Sequence, residues 1–165
     1  EDPAWHERYA RLFKEGRCFL VEGPAMKARL MALGCPAEKI LVHRLGADLS
    51  RLPYEERSFA RPLRVLMVGR FVEKKGLVDG VKACVQAMAA GAELELTIIG
   101  DAGHDDPCGQ EIKSQIQRLA ADPVCAGRIH LPGFRSLDET RQAMRRHDVM
   151  LAPSRHAASG DAEGG

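Results

Sequence analysis

The sequence predicts an α/β fold in which helices flank a parallel sheet. From Arg64 onward, short apolar runs alternate with stretches of helical periodicity, which is the pattern of buried parallel strands covered by helices. The predicted strands are residues 65–68, 94–99, 128–131 and 149–151. Because repeated strand–helix–strand units require right-handed crossovers, we expect a Rossmann-like parallel sheet.

Helical patterns fill the intervals between these strands. Residues 77–90 form the first predicted helix, which Gly91 terminates, and Pro107 begins the second. Ser136 and Glu139 begin the third helix with the spacing of a capping box, in which each side chain satisfies an exposed backbone donor. The inner face of the second helix is predicted to carry Ile112, Ile116, Leu119 and Ala120.

The part of the chain before Arg64 has a different organisation. We predict a helix over 4–15, a strand over 18–21, a helix beginning at Pro24 and a strand over 40–42. The inner face of the helix that begins at Pro24 is assigned to Met26, Leu30, Met31 and Leu33. Residues 50–62 are polar and bounded by proline, so they are interpreted as a linker. The predicted domains are therefore residues 1–52 and residues 53–165.

Composition narrows the possible functions. The 165-residue chain has 24 basic and 23 acidic residues, which offers no electrostatic basis for binding nucleic acid or an anionic membrane strongly. Its five cysteines lack any C-x-x-C spacing, so we expect reduced thiols in a cytoplasmic protein and no metal site. No apolar run approaches the ~18 to 20 residues of a membrane span. The chain does not start with Met, and we expect it to be trimmed at both ends.

A candidate anion site follows the first strand of the predicted sheet. Lys74 and Lys75 lie near the start of the 77–90 helix, where the helix dipole disfavours cations and favours a compensating anion. Gly69 and Gly76 would let backbone N–H groups approach a phosphate closely. Arg70 could add a bidentate contact to the same oxygens. The alternative is a solvated loop whose lysines face water.

A second candidate loop, residues 152–165, follows the fourth strand. In a doubly wound sheet the first and fourth strands are neighbours, and ligands bind at their carboxyl ends where the strand order reverses. Asp161 and Glu163 could accept sugar hydroxyl protons, and Gly160, Gly164 and Gly165 permit close backbone approach. The alternative is an ordinary flexible tail. If both loops are functional, they form opposite walls of one crevice.

Several motifs in order resemble a known family, the retaining glycosyltransferases of family 4, which have the GT-B fold. The resemblance covers nearly the whole chain, and residues 53–165 resemble the C-terminal, donor-binding domain of that fold, incomplete at its C-terminus. The variants His43-Arg44-Leu45-Gly46 and Gly160-Asp161-Ala162-Glu163-Gly164 look like the branch that builds bacterial exopolysaccharides such as colanic acid. The motifs are Gly69-Arg70-Phe71, Lys75-Gly76, Ile98-Ile99-Gly100-Asp101, Ile129-His130-Leu131-Pro132-Gly133-Phe134, Leu151-Ala152-Pro153-Ser154 and Glu163-Gly164.

The resemblance implies a role for each matching position. Arg70 and Lys75 match the pair that grips the donor diphosphate and stabilises the leaving group without a metal. Glu163 matches the first glutamate of the E-x7-E motif, which binds hydroxyls of the transferred sugar. The second glutamate would come six residues beyond Gly165. The remaining donor contacts are assigned to the backbone at Gly164 and Gly165 and, around the nucleoside and diphosphate, to Gly69, Gly100, Gly133 and Phe134.

The resemblance also implies an activity. The parent enzyme would transfer a hexosyl group, with retention, from a nucleoside diphosphate sugar to a saccharide or lipid-linked acceptor in exopolysaccharide biosynthesis. No cofactor is expected, because the donor is itself the substrate. We expect a cytoplasmic enzyme with at most peripheral membrane association through its acceptor domain. Residues 1–52 would be the tail of that domain, and the fragment alone would be inactive.

Three other classes of protein agree less well with this sequence. Another GT-B enzyme, a nucleotide-sugar 2-epimerase or a phosphorylase, is disfavoured by the motif order. A non-catalytic nucleotide-binding or receiver-like module would place acidic residues after its first strand, where this chain has Gly69 and Arg70. A dehydrogenase would require a G-x-G-x-x-G motif after that strand, which is missing from the sequence.

Overall fold

A computed structural model describes residues 3–46, 50, 54, 56 and 61–161. The predicted roles of Glu163, Gly164 and Gly165, and most of the predicted 50–62 linker, lie outside these residues. The chain divides into two compact units, Glu1–Pro53 and Tyr54–Gly165. The assignment of the first unit to an acceptor domain and of the second to a donor domain stays a prediction.

The first unit is a small α/β structure built on a two-stranded parallel sheet. Its elements are α1 (Pro3–Glu15), β1 (Phe19–Val21), α2 (Pro24–Ala32) and β2 (Ile40–Val42), with β1 paired to β2. These are the helices and strands that periodicity predicts, except that α1 begins one residue earlier and β1 begins one residue later. The unit's buried core consists of Phe13, Val21, Cys35 and Ile40.

The predicted inner face of α2 is partly wrong. Leu30 and Leu33 pack against the core of the first unit, but Met26 and Met31 are 41% and 46% exposed. The two strands beneath α2 have three residues each, whereas the helix has nine. A sheet of that size covers only part of the helix. Some apolar side chains at helical spacing on α2 are therefore exposed.

The second unit is a four-stranded parallel sheet with the order β5–β4–β3–β6. The first and fourth strands of the sheet, β3 and β6, are neighbours, which confirms the predicted reversal of strand order. Its elements are β3 (Leu63–Val68), α3 (Leu77–Ala89), β4 (Leu94–Ile99), α4 (Pro107–Ala120), β5 (Ile129–Gly133), α5 (Leu137–Arg146) and β6 (Val149–Met150).

Both faces of the central strands are buried. Met67, Leu96 and Ile98 pack with Val81 of α3 and Ile116 of α4 in one apolar cluster, which confirms the predicted inner face of α4. Leu66 is also buried but lies outside that cluster. Right-handed crossovers place α3 and α4 on one face and α5 on the other. The sheet is therefore covered by helices on both sides.

The last predicted strand is less buried than its apolar sequence indicates. Val149 and Met150 are 40% and 52% exposed, and within the described part of the chain β6 pairs only with β3. An edge strand with one neighbour keeps more of its side-chain surface accessible. Its loop nevertheless begins next to the loop that follows β3.

Candidate functional site

A cavity of about 620 Å³ opens at the carboxyl ends of the strands of the second unit. Four residues that the sequence analysis assigned to donor binding line it together, namely Gly69, Arg70, Gly100 and Phe134. The other lining residues are Val68, Ile99, Asp101, Ala102, Gly103, Arg135, Leu137 and Thr140. Residues from three different loops therefore converge where the sheet topology predicts a ligand crevice.

The floor of this cavity is glycine backbone. Gly100 adopts a φ of 138°, and a Cβ atom there would overlap the carbonyl oxygen of Gly69. The Gly100 N–H donates to the carbonyl oxygen of Gly133 at 3.1 Å, and the Gly69 N–H donates to Ile99 at 3.0 Å. Three of the predicted glycines thus lie against one another, and a ligand could approach the main chain closely.

Arg70 and Lys75 both lie beside Gly69. Arg70 is exposed at the cavity, and the next residue, Phe71, is 2% exposed and donates its N–H to the Asp101 carbonyl oxygen at 3.1 Å. The buried phenyl ring anchors the loop that carries Arg70. A Cβ atom on Gly69 would lie 3.3 Å from Cδ of Lys75, so the lysine side chain packs over this glycine.

The two adjacent lysines have different environments. Both lie in a 3-10 turn, Glu73–Lys75, that precedes α3, and Gly76 caps that helix with a φ of 60°. The Lys74 ammonium pairs with the Asp161 carboxylate at 3.2 Å. For Lys74, the compensating anion that the sequence analysis sought from a ligand is therefore a side chain of the loop after β6.

An ion pair in the cavity was missed by sequence reasoning. The Lys113 ammonium of α4 donates to Oδ1 of Asp101 at 2.7 Å, and the Ala102 N–H donates to the same oxygen at 2.8 Å. The hydrogen bond from Lys113 is the main cause that lowers the pKa of Asp101 below its ordinary value. Asp101 is the second residue after β4, as Arg70 is the second residue after β3, and that shared position could have identified it.

The wall after β5 carries exposed and buried groups side by side. Phe134 is 79% exposed and Leu137 is 64% exposed, so this wall presents apolar surface to the cavity. Thr140 is buried and donates its hydroxyl to the Ser136 carbonyl oxygen at 2.9 Å. Ser136 and Glu139 form the predicted capping box at the start of α5. The cap holds the helix that supports this wall.

The described residues hold neither a metal-binding cluster nor a membrane-spanning helix. No three histidine, cysteine, aspartate or glutamate side chains among them lie close enough to share a metal ion. No helix among them has the length and apolar character that crossing a membrane requires.

A parallel sheet whose strand order reverses beside a crevice lined by Gly69, Arg70 and Gly100 defines a class of protein, the Rossmann-like α/β folds that bind ligands at the switch point. The chain belongs to the family described as family 4 glycosyltransferase in conflict systems, whose model matches residues 6–160. This match confirms the predicted family, and the solved structures described below confirm the predicted GT-B fold.

Curated relatives agree with this family assignment. The chain is 33% identical over 157 residues to the putative colanic acid biosynthesis glycosyltransferase WcaL of Escherichia coli K12. It is 34% identical over 157 residues to the amylovoran biosynthesis glycosyltransferase AmsK of Erwinia amylovora. Each alignment covers 94% of this chain but 37% of the relative. The chain therefore spans less than half the length of these proteins.

Solved structures share the fold at low sequence identity. HepE of Anabaena, crystallised in complex with UDP and glucose, has a TM-score of 0.69 and 19% identity, covering 90% of this chain and 41% of HepE. The C-terminal domain of LpcC from Francisella tularensis, a group 1 glycosyl transferase, has a TM-score of 0.55 and 19% identity. That alignment covers 66% of this chain and 59% of the domain structure.

Proposed function

We propose that the protein containing this chain transfers a hexosyl group from a nucleoside diphosphate sugar to a saccharide or lipid-linked acceptor in exopolysaccharide biosynthesis. One observation carries the proposal: Gly69, Arg70, Gly100 and Phe134 line one cavity at the switch point of the sheet. The relatives named for colanic acid and amylovoran biosynthesis supply the pathway class.

In this proposal, Arg70 and Lys75 hold the diphosphate. Both lie beside the Gly69 backbone, where two cations can neutralise the negative charge that develops on the leaving group. Charge stabilisation of this kind acts most strongly when the groups are already placed before reaction. The pair would serve without a metal or another cofactor.

The nucleoside would lie toward Gly100, Gly133 and Phe134. The exposed Phe134 ring offers an apolar surface next to a floor of main-chain groups, which suits a planar base with a polar edge. The HepE structure with bound UDP supports a uridine nucleotide as the first candidate to test.

The sugar side of the site remains a set of predictions. Glu163 would accept hydroxyl protons of the transferred hexose, and Gly164 and Gly165 would donate backbone N–H groups. Transfer also requires an acceptor held against the donor. We therefore propose that this chain alone does not transfer the sugar, and that the whole enzyme is cytoplasmic with at most peripheral association with the inner face of the cell membrane.

Calorimetric titration of the full-length protein with UDP-, GDP- and ADP-sugars tests the proposal. We expect Arg70→Ala to weaken binding of the preferred donor at least about tenfold, because a bidentate guanidinium–phosphate contact is lost. Arg118→Ala is the matched control, since Arg118 is an exposed arginine of α4 that pairs with Glu111. If Arg70→Ala binds the donor as tightly as the wild type does, the assignment of Arg70 to the donor diphosphate is wrong.

Retention of the anomeric configuration is tested by a separate measurement. The anomeric configuration of the first-formed product, read from the coupling constant of its anomeric proton, should match that of the donor sugar. Inversion would contradict this part of the proposal while leaving donor binding intact.

The family description favours a second candidate for the biological role. It places the matched family in conflict systems, so the same sugar transfer could serve such a system and not polysaccharide assembly. Deletion of the gene separates the two candidates. Loss of extracellular polysaccharide supports the first, and unchanged polysaccharide supports the second.

A further inference from the structure

The loop that follows β6, residues 152–161, is attached to the start of α3 by one arginine. Arg155 donates Nη2 to Oε1 of Glu73 at 2.9 Å and Nη1 to Oδ2 of Asp79 at 3.0 Å. Its backbone N–H donates to the Lys74 carbonyl oxygen at 2.9 Å. A planar guanidinium can bridge two carboxylates in this way, whereas a lysine ammonium is a single point of charge.

Two more contacts tie the same loop to the same turn. Oε1 of Glu73 also accepts the N–H of Ala158 at 3.1 Å, and Asp161 pairs with Lys74 at 3.2 Å. The loop also closes on itself, since the Ala157 N–H donates to the Asp161 carbonyl oxygen at 2.7 Å. The loop is therefore held at regular intervals up to Asp161.

The beginning of the loop packs directly on α3. A Cβ atom on Gly76 would overlap the Pro153 carbonyl oxygen, and a Cβ atom on Gly80 would lie 2.9 Å from Cγ of Pro153. These glycines allow backbone and proline ring to come close. The loop is thus attached to α3 and the turn before it at Pro153, at Arg155 and at Asp161.

We propose that Arg155 is a positioning residue that fixes this loop, as far as Asp161, relative to the turn that carries Lys75. The inference rests on the proposed function. The turn to which Arg155 binds also contains Lys75, and Asp161 is two residues before Glu163 in the sequence. One three-residue turn therefore both carries Lys75 and holds the loop that leads in sequence to Glu163.

The guanidinium of Arg155 is committed to the protein, because both of its acceptors are carboxylates of the turn and of α3. Arg155 lines a separate cavity of about 480 Å³ between α3 and α4, and not the 620 Å³ cavity that Arg70 lines. The turn keeps its own hydrogen bonds without Arg155, from the Lys75 N–H to the Val72 carbonyl oxygen at 3.1 Å and from the Gly76 N–H to the Glu73 carbonyl oxygen at 3.0 Å. Removal of Arg155 should therefore release the loop, and so change recognition of the sugar, while Lys75 and recognition of the nucleoside diphosphate stay unchanged. This difference separates a positioning role from a general loss of structure.

The test compares ligands with and without the sugar. The full-length protein is titrated with UDP and UDP-glucose, GDP and GDP-mannose, and ADP and ADP-glucose, and the pair that binds is used for each variant. We expect Arg155→Ala to weaken binding of the sugar nucleotide about fivefold, which is the scale of an exposed ion-pair network. Binding of the nucleotide without the sugar should stay unchanged. Arg155→Lys should give an intermediate loss, and Arg118→Ala should give none.

Hydrogen exchange supplies a readout that needs no ligand. Exchange at the Ala158 amide should be faster in Arg155→Ala than in the wild type, with melting temperature unchanged. The positioning role is overturned if exchange at the Ala158 amide is unaltered, or if Arg155→Ala weakens binding of the nucleotide and of the sugar nucleotide equally. In either case the proposed function stands. If the wild type binds none of the six ligands, the proposed function and the positioning role both fall.

Discussion

Asp148 and Arg64 join the last strand of the second unit to its first strand across 84 positions of sequence. The Asp148 carboxylate accepts from the Arg64 backbone N–H at 2.9 Å, from Nε at 3.1 Å and from Nη2 at 2.8 Å. The Asp148 N–H donates in return to the Arg64 carbonyl oxygen at 2.8 Å. Because β6 has only two residues, this pair holds it against β3 and thereby sets the loops that follow both strands.

Asp148→Ala should destabilise the second unit. The carboxylate is 1% exposed, and its removal leaves the Arg64 N–H without this acceptor, so we expect the free energy of unfolding to fall by about 2 kcal/mol. Urea denaturation followed by circular dichroism measures the change. Glu111→Ala, which removes an exposed acidic partner from α4, should change the free energy by less than about 0.5 kcal/mol. Equal effects would contradict the role of the pair.

Gly76→Ala should be far more costly than Gly91→Ala. Both glycines have positive φ, 60° and 91°, but a Cβ on Gly76 would overlap the Pro153 carbonyl oxygen while Gly91 has open space. We expect Gly91→Ala to cost about 1 kcal/mol for its left-handed backbone, and Gly76→Ala to cost at least about 3 kcal/mol because the loop after β6 must move. Chemical denaturation of both variants measures the free energy of unfolding. Equal decreases in the two variants would contradict the close packing of Gly76 against Pro153.

Lys113→Met should lower stability at neutral pH but not in strong acid. Lys113 holds the pKa of Asp101 below its ordinary value of 3.8, so the pair stabilises the fold above that pH and loses its effect as pH falls through the lowered pKa. We expect a loss below about 1 kcal/mol at pH 7, because about a third of each side chain is exposed to screening.

The measurement is urea denaturation from pH 7 down to about pH 2.5 for wild type and Lys113→Met. The difference in free energy should shrink below about pH 3.8, where Asp101 becomes protonated in the unfolded chain. Lys82→Met, at an exposed position on α3, serves as the control and should show no such narrowing. A difference that stays constant with pH would count against the ion pair.

Thiol reactivity should divide the five cysteines into two classes. Cys18 and Cys108 are exposed, whereas Cys35, Cys84 and Cys125 are buried. Burial also raises the pKa of these three thiols, which lowers their thiolate fraction at neutral pH. A thiol reagent such as dithionitrobenzoate should label two cysteines rapidly in the native protein and five after denaturation. Rapid labelling of a third thiol would contradict the burial.

Local signals were enough to predict most helices and strands of this protein. Pro24 and Pro107 begin α2 and α4, and Ser136 with Glu139 begins α5. Such signals succeed because capping and proline geometry depend on residues within one turn of each other. The adjacency of β3 and β6 was expected from the strand order of a doubly wound sheet, in which the first and fourth strands are neighbours.

Burial and side-chain pairing were less predictable. Met26 and Met31 share the apolar period of α2 yet remain exposed, because the sheet beneath that helix is short. Lys74 and Lys75 are adjacent in sequence, but Lys74 pairs with Asp161 and Lys75 packs over Gly69. Neighbouring side chains diverge in a 3-10 turn, and sequence spacing alone cannot assign them partners.

The sequence by itself determined the elements, their parallel order and the family, because periodicity, caps and short motifs act over a few residues. Only the tertiary structure decided which groups meet at the crevice. The Asp101–Lys113 pair and the bridge from Arg155 to Glu73 and Asp79 join residues of separate elements. Such contacts depend on where the sheet places each loop in space, and no local pattern in the chain encodes that distance.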